Sequence, residues 1–163
     1  MSSSETPKST LFRQAISTLL LTIFLRSTFL LLINLKDKKK QLVKDAFIEC
    51  WQVLQNNSKL LYFDRVNYNT KKKSYLISLN EYKSDTIIYI TIFARGLLNH
   101  LNTIIYLEDK NLYKKDPFYK KLPIGRRKFM LAKLKRFKNN VKYYEHDLHL
   151  SGIRETVFFN FDN

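Results

Sequence analysis

Glycine, proline and cysteine are scarce in this 163-residue sequence, which contains three Gly, three Pro and one Cys. The single cysteine, Cys50, excludes a disulfide within the chain. With so few glycines, the sequence contains neither a Walker loop nor a dinucleotide-binding fingerprint. Acidic residues are also few, 14 against 29 Lys and Arg, and the formal net charge is +15. The composition therefore favours an anionic partner, either a nucleic acid or a lipid surface.

Catalytic and metal-binding patterns are equally sparse. His146 and His149 share a helix face at i and i+3, but a zinc site needs further ligands in register, and Cys50 lies far away in the sequence. Cys50 is next to Trp51 on an apolar helix face, where a thiol stays protonated. His100 falls in an apolar helical stripe, which predicts a packing role. The sequence thus predicts a protein that is not an enzyme and that needs no metal or cofactor.

The longest apolar run covers residues 15–35 and contains eight Leu, three Ile and two Phe, with Arg26 as its one charge. About 20 apolar residues suffice to cross a bilayer, although a central arginine opposes insertion by roughly 2.5–3.5 kcal/mol. Three interpretations stay open: a single-pass membrane anchor flanked by lysines, an organelle-targeting segment, or a helix buried in an assembly. The targeting interpretation is supported by the first 36 residues, in which Glu5 is the one acid.

The middle of the chain changes its hydrophobic period from helical to alternating. The elements expected in order are a helix over 36–58, strands over 59–69, 74–83 and 86–94, and a helix from 97 to about 107. The first two strands form a hairpin with a basic tip at 70–73. A helix throughout 86–107 is the alternative, because short apolar runs do not distinguish the two. The order helix, three strands, helix resembles that of double-stranded RNA-binding domains in element order only.

A basic segment, residues 110–142, holds thirteen Lys or Arg and one acid, a net +12 of the total +15. Pro117 and Pro123 predict that its first half is extended. From about residue 125 onwards, apolar residues recur at spacings of 4, 3, 4 and 3: Met130, Leu134, Phe137, Val141 and Tyr144. This spacing predicts an amphipathic helix with cations over most of its surface.

The predicted fold class is therefore α+β: an N-terminal hydrophobic helix, a small helix–three strands–helix domain and a basic amphipathic C-terminal helix. The corresponding division of the chain is 1–35, 36–109 and 110–163.

The predicted function is that of a non-catalytic RNA-binding or ribosomal-type subunit of an organellar ribonucleoprotein, with a mitochondrial location. The alternative is a membrane-anchored structural subunit whose basic segment lies on an anionic lipid surface. In both cases neighbouring protein subunits are expected partners. The residues predicted to contact nucleic acid through its phosphates are Lys120, Lys121, Arg126, Arg127, Lys128, Lys133, Lys135, Arg136, Lys138 and Lys142.

Overall fold

A computed structural model describes residues 28–55, 58–82 and 86–160. This part of the chain forms eight strands: β1 Thr28–Lys36, β2 Ala46–Leu54, β3 Leu60–Asn69, β4 Ser74–Asn80, β5 Thr86–Ala94, β6 Leu101–Leu107, β7 Leu131–Lys138 and β8 Val141–His149. Two short α-helices, α1 Pro117–Lys121 and α2 Ile124–Arg127, lie between β6 and β7. They are accompanied by 3-10 turns at Glu108–Lys110, Leu112–Lys115 and Lys128–Met130.

The strands close into one barrel in the order β1-β4-β3-β2-β5-β6-β7-β8. Neighbouring strands are antiparallel except for the β1–β8 and β6–β7 pairs, which are parallel. The β6–β7 closure rests on two residue pairs, Tyr106 with Leu131 and Leu107 with Ala132. Because the ladder is so short there, β7 leaves the barrel wall soon after it begins and continues as a hairpin with β8.

Alternating side chains fill the barrel. In β1, Phe29, Leu31, Ile33 and Leu35 are buried while the residues between them are half-buried. Strands β2, β4 and β5 contribute the same inward pattern, as expected where one face of each strand meets the core. Each fully buried Leu or Ile stabilises the fold by about 1.5–3 kcal/mol.

A second apolar cluster lies outside the barrel wall, on β5 and β6. Here Ile87, Ile104 and Tyr106 point outwards and are covered by Tyr119 and Met130 from the connection between β6 and β7. The short helices of this connection therefore serve to cover the wall next to the hairpin.

Three predicted strands are confirmed. β3, β4 and β5 match the expected strands at 59–69, 74–83 and 86–94, and the basic turn falls between β3 and β4 as predicted. The predicted α+β fold class is nevertheless wrong, because the molecule is a barrel of strands.

The helices expected on either side of those strands are strands themselves. Within 36–58, β2 pairs along its whole length with β5 and along most of it with β3, so sheet pairing decides its conformation. Within 97–107, β6 pairs with β5. In both segments the spacing of the apolar residues is compatible with a helix and with a strand. Hydrogen bonding to the neighbouring strands of the barrel decides for the strand.

The predicted basic amphipathic helix is the β7–β8 hairpin. Asn139 and Asn140 both have positive φ, 51° and 59°. This pair forms the tight turn that joins two antiparallel strands. The apolar residues spaced like a helix seam separate accordingly: Met130 and Tyr144 are buried, whereas Leu134 and Phe137 are exposed.

The hydrophobic run at 15–35 ends in β1, which begins at Thr28; residues 15–27 lie outside the described residues. Among the residues that the structure describes, no helix has the length and apolar character that crossing a membrane requires. The division at residues 35 and 109 stays a prediction, and strands from both sides of each boundary contribute to the barrel.

Candidate functional site

The ten cations predicted to bind a phosphate-bearing partner lie on several elements. They are distributed over α1 (Lys120, Lys121), α2 (Arg126, Arg127), the following 3-10 turn (Lys128), β7 (Lys133, Lys135, Arg136, Lys138) and β8 (Lys142). The predicted amphipathic helix does not exist in this segment.

Two of the arginines serve the fold. The Arg127 guanidinium donates hydrogen bonds to the backbone carbonyls of Leu122 at 3.0 Å and Lys120 at 2.7 Å. The Arg126 guanidinium donates to the carbonyl of Glu155 at 2.8 Å, which fixes the C-terminal segment against α2. Both side chains are committed to the protein's own backbone.

Two cations of the hairpin are also engaged. The Lys142 ammonium lies 3.1 Å from Glu81 and 3.7 Å from Asp109. The Arg136 guanidinium stacks over the ring of Tyr143, 4.1 Å from its centroid. Neither is positioned primarily for a ligand.

Three others, Lys128, Lys133 and Lys135, line a cavity of about 410 Å³ between the hairpin and the C-terminal segment. We call this cavity the β7–β8 pocket; its walls are Lys128, Phe129, Leu131, Lys133, Lys135, Glu145, His146, Asp147, His149 and Arg154. Its volume is within the range usual for sites that bind small molecules.

Strand alternation explains why the polar residues converge. Lys133 pairs with Glu145 across the β7–β8 ladder, and residues two apart on each strand share a face. Asp147 and His149 therefore share the face of Glu145 on β8. Lys135 is the extra residue of a register shift between Leu134 and Arg136, and its ammonium lies 3.6 Å from Glu145. The basic residues that seem evenly spread along a helix in the sequence are divided between the two faces of a hairpin in the structure.

Arg154 lines the pocket from the turn that follows β8. The turn that carries it is held because Thr156 and His149 exchange two hydrogen bonds: the Thr156 N–H donates to the His149 carbonyl at 2.9 Å, and the His149 N–H donates to the Thr156 hydroxyl at 3.0 Å. Together with the Arg126 bond to Glu155, this fixes the turn beside β8. No local signal in the sequence indicates this position, because it depends on tertiary contacts.

The acidic residues of the pocket are neutralised by their neighbours. Asp147 accepts from the Lys36 ammonium at 2.6 Å and from the Asn34 amide at 3.0 Å. Burial acts to raise the pKa of Asp147, but these two bonds hold it below its usual value. Glu145 accepts from Asn34 at 2.9 Å and lies 3.6 Å from Lys135.

Lys133 and Arg154 form no ion pair with another described residue, so the pocket keeps a net positive charge. Lys128 adds to it, with its ammonium 5.2 Å from the centroid of the Phe129 ring. A cavity lined by cations together with Phe129 and Leu131 can bind a small anionic aromatic molecule.

His146 is a buried residue next to the pocket. Its Nδ1 lies 3.1 Å from the backbone carbonyl of Leu131, which can only accept, so Nδ1 carries the proton. Nε2 is then a bare lone pair, and it has no hydrogen-bond partner among the described residues. Burial lowers the pKa of His146 to about 4, with the Leu131 bond acting in the opposite direction, so the ring is neutral at pH 7.

The pocket's donor set does not make up a metal site. In residues 28–55, 58–82 and 86–160, no group of three or more His, Cys, Asp or Glu side chains is placed to hold a metal ion. His146 and His149 are the nearest candidates, but both carboxylates beside them are held by Asn34, Lys36 and Lys135. No reaction step is therefore assigned to a metal held by these residues.

Compared with known proteins, the chain is similar to dioxygenases. The sequence is 27% identical over 154 residues to the protocatechuate 3,4-dioxygenase alpha chain of Pseudomonas putida, which covers 81% of this chain and 75% of that one. No family model matches the sequence.

The solved structures with a similar backbone are dioxygenases as well. The dioxygenase domain of a carbohydrate-binding fusion protein from Streptomyces sp. SirexAA-E superimposes with a TM-score of 0.57 at 10% identity, covering 81% of this chain and 82% of that one. Catechol 1,2-dioxygenase of Acinetobacter radioresistens gives 0.55 at 10% identity; 78% of this chain matches 53% of that enzyme. These likenesses show that the barrel has the intradiol dioxygenase fold.

These findings correct the functional predictions made from the sequence. The RNA-binding or ribosomal function, the membrane-anchored alternative, and RNA or a lipid surface as partner are contradicted, because the similar proteins are dioxygenases. The prediction of a non-enzyme is contradicted on the same ground. The lack of catalytic motifs in the sequence led to the wrong prediction. In a barrel, the polar groups of a site come from residues on separate strands, so they form no local sequence motif.

Sequence reasoning found part of the pocket. It singled out Lys128, Lys133 and Lys135, and it noticed His146 and His149 while placing them on a helix. Glu145, Asp147 and Arg154 were missed as site residues. The Asn139-Asn140 pair was the signal that would have turned the predicted helix into a hairpin and aligned β7 with β8.

Proposed function

We propose that this chain is a subunit of an enzyme that opens the ring of a catechol-type aromatic compound with O₂. The observation that carries the proposal is the similarity to the P. putida alpha chain, which extends over 81% of this chain. The barrel topology is an independent observation in the same direction, since the dioxygenase domain from Streptomyces is matched over most of its length.

The β7–β8 pocket supports an anionic substrate. Protocatechuate, the compound in the relative's name, carries a carboxylate on its ring, and Lys128, Lys133 and Arg154 provide uncompensated positive charge.

Reaction of an aromatic ring with O₂ requires a group that activates oxygen, commonly a transition metal. Among the described residues, no group of three or more His, Cys, Asp or Glu side chains is placed to hold a metal ion, and the relative is named as one chain, the alpha chain, of its enzyme. We therefore infer that the active unit is an assembly in which another chain contributes the oxygen-activating centre. This chain would bind and orient substrate at its own pocket.

The proposal is tested on the assembly purified from source cells through a tag on this chain. Oxygen uptake and loss of the aromatic absorbance are followed with protocatechuate and with catechol. We expect one O₂ consumed for each ring opened. An intact assembly that consumes no oxygen with either compound would contradict the proposal.

The pocket's role is tested with Lys133→Gln, and Lys138→Gln is the matched control because Lys138 lies on the same strand and outside the pocket. Loss of one charge contact of about 1 kcal/mol raises KM for protocatechuate roughly fivefold, with kcat little changed. Catechol has no carboxylate and should be insensitive. Equal effects of the two variants on protocatechuate would show that the pocket is not the binding site.

The mitochondrial location remains a prediction. For those of the ten cations that lie outside the pocket, contact with a ligand also remains a prediction.

A further inference from the structure

Two cations of the β7–β8 pocket lie at opposite ends of a row of residues on β8. Glu145, Asp147 and His149 form this row, since they share one face of the strand. Its ends are about 13 Å apart along the strand, at a rise of about 3.3 Å per residue. Lys133 is the register partner of Glu145 at one end of the row, and Arg154 lies near His149 at the other. The positive charge of the pocket is therefore divided between two places.

The position of Arg154 follows from its contacts with β8. The turn that carries it is held beside the strand by the two hydrogen bonds between Thr156 and His149. The pKa of His149 is lowered mainly by burial; Asp147 opposes this, and nearby cations, Arg154 among them, add to it. Arg154 itself is exposed, so its guanidinium is accessible to a ligand in the pocket.

The surface between these two cations is neutralised or apolar. Asp147 lies at the centre of the row, where it accepts from the Lys36 ammonium at 2.6 Å and from the Asn34 amide at 3.0 Å. Phe129 and Leu131 add apolar surface to the same pocket. A ligand that fits this pattern has a hydrocarbon middle and one anionic group at each end.

The proposed reaction forms a molecule of this shape. Opening the ring between the two carbons that bear hydroxyl groups breaks one C–C bond and adds one oxygen atom of O₂ to each of these carbons. Each carbon becomes a carboxylic acid, so the organic compound is oxidised and O₂ is reduced. Both carboxyl protons pass to water at neutral pH. The two new carboxylates lie at the ends of a six-carbon chain, whichever catechol is opened.

We propose that the β7–β8 pocket binds the ring-opened dicarboxylate, with Lys133 at one carboxylate and Arg154 at the other, and that this product competes with the aromatic substrate. The inference rests on the proposed function and assigns a regulatory role to the same pocket. A compact ring with one carboxylate engages one of the two cations, whereas the open chain engages both. Product therefore binds more tightly than substrate, and ring opening slows as product accumulates.

The first test compares two probes on the full chain: hexanedioate, a six-carbon dicarboxylate, and hexanoate, the monocarboxylate of the same length. NMR titration at constant ionic strength measures both affinities. A second charge contact at an exposed site changes an affinity about fivefold, so hexanedioate should bind about fivefold more tightly than hexanoate. Equal affinities for the two probes, or binding of neither, would overturn the proposal.

Variants show whether both cations contact the dicarboxylate. Arg154→Gln should weaken hexanedioate binding about fivefold and change hexanoate binding by less than about twofold, because Lys133 still holds one carboxylate. Lys133→Gln is the second variant, and its preference for hexanedioate should fall in the same way. Lys138→Gln, on the strand of Lys133 but outside the pocket, should keep the full preference. If the folded Arg154 and Lys133 variants both keep it too, these cations do not hold the two carboxylates.

Oxygen uptake by the purified assembly separates this inference from the proposed function. Hexanedioate should compete with protocatechuate, and Arg154→Gln should raise its inhibition constant about fivefold. Uptake that hexanedioate leaves unchanged would overturn the inference and leave the proposed function intact. An assembly that binds hexanedioate but consumes no oxygen would overturn the proposed function, while the dicarboxylate selectivity of the pocket would stand.

Discussion

His146 lies where the β7–β8 hairpin meets the barrel interior. It is 4% exposed, and its register partner on β1 is Ile33, which is completely buried. A histidine in this position stays neutral because burial disfavours the charged ring. Sequence reasoning identified the residue but not its surroundings, since a lone histidine carries no information about which strand will lie beside it.

Neutral burial of His146 makes the stability of the protein depend on pH. The unfolded chain takes up a proton near pH 6.5, whereas the folded protein does so only near pH 4. The contribution of His146 is therefore complete above pH 6.5 and is lost as the pH falls towards 4, by about 3 kcal/mol at most. Urea unfolding at pH 7.5, 6 and 4.5 measures this loss.

The control is His146→Gln, because a glutamine amide can still donate to the Leu131 carbonyl but does not titrate. Burial also lowers the pKa of His149, so the variant keeps part of the slope. The difference between the two proteins isolates His146. Identical pH dependence would mean that His146 is solvated and not buried.

At the scale of elements, the sequence predicted β3, β4 and β5 because their alternation is bounded by turns on both sides. It failed for β1, whose uninterrupted Leu and Ile residues have no visible period. In the barrel, β1 lies between β4 and β8, and two of its outward positions, Leu30 and Leu32, are apolar as well as the inward ones. Composition alone cannot distinguish such a strand from an apolar helix.

Substitutions at neighbouring positions of β1 test this strand. Leu31 is fully buried and Leu32 is half-buried on the opposite face. We expect Leu31→Ala to lower the free energy of unfolding by about 2–5 kcal/mol, because it opens a cavity in the core. Leu32→Ala should cost about 1 kcal/mol or less. Urea midpoints measure both, and equal losses would contradict the alternation of β1.

The hairpin shows why a regular spacing misled. Met130, Leu134, Phe137, Val141 and Tyr144 fit a helix seam, yet Asn139 and Asn140 turn the chain between the third and fourth of them. The turn moves the last two residues onto the partner strand. A pair of asparagines with positive φ outweighs the spacing because no helix continues through that conformation.

On the scale of the whole molecule, closure of the barrel brings together residues that are far apart in the sequence. The β7–β8 pocket combines residues from the β6–β7 connection, both hairpin strands and the C-terminal turn. The net positive charge can be read from the sequence, but the kind of partner cannot. The same lysines can line a pocket for a small anion or form a surface that binds a polyanion. Only the backbone match to dioxygenases, together with the similarity in sequence, distinguishes the two.

The most direct test of the account supplies ¹⁸O₂ to the purified assembly in the presence of protocatechuate and analyses the product by mass spectrometry. A ring-opening dioxygenase places both atoms of the same O₂ molecule in the product, so we predict a doubly labelled ring-opened acid whose formation depends on this chain. Product without label, or labelled product formed equally well by an assembly lacking this chain, would contradict the claim that it is a dioxygenase subunit.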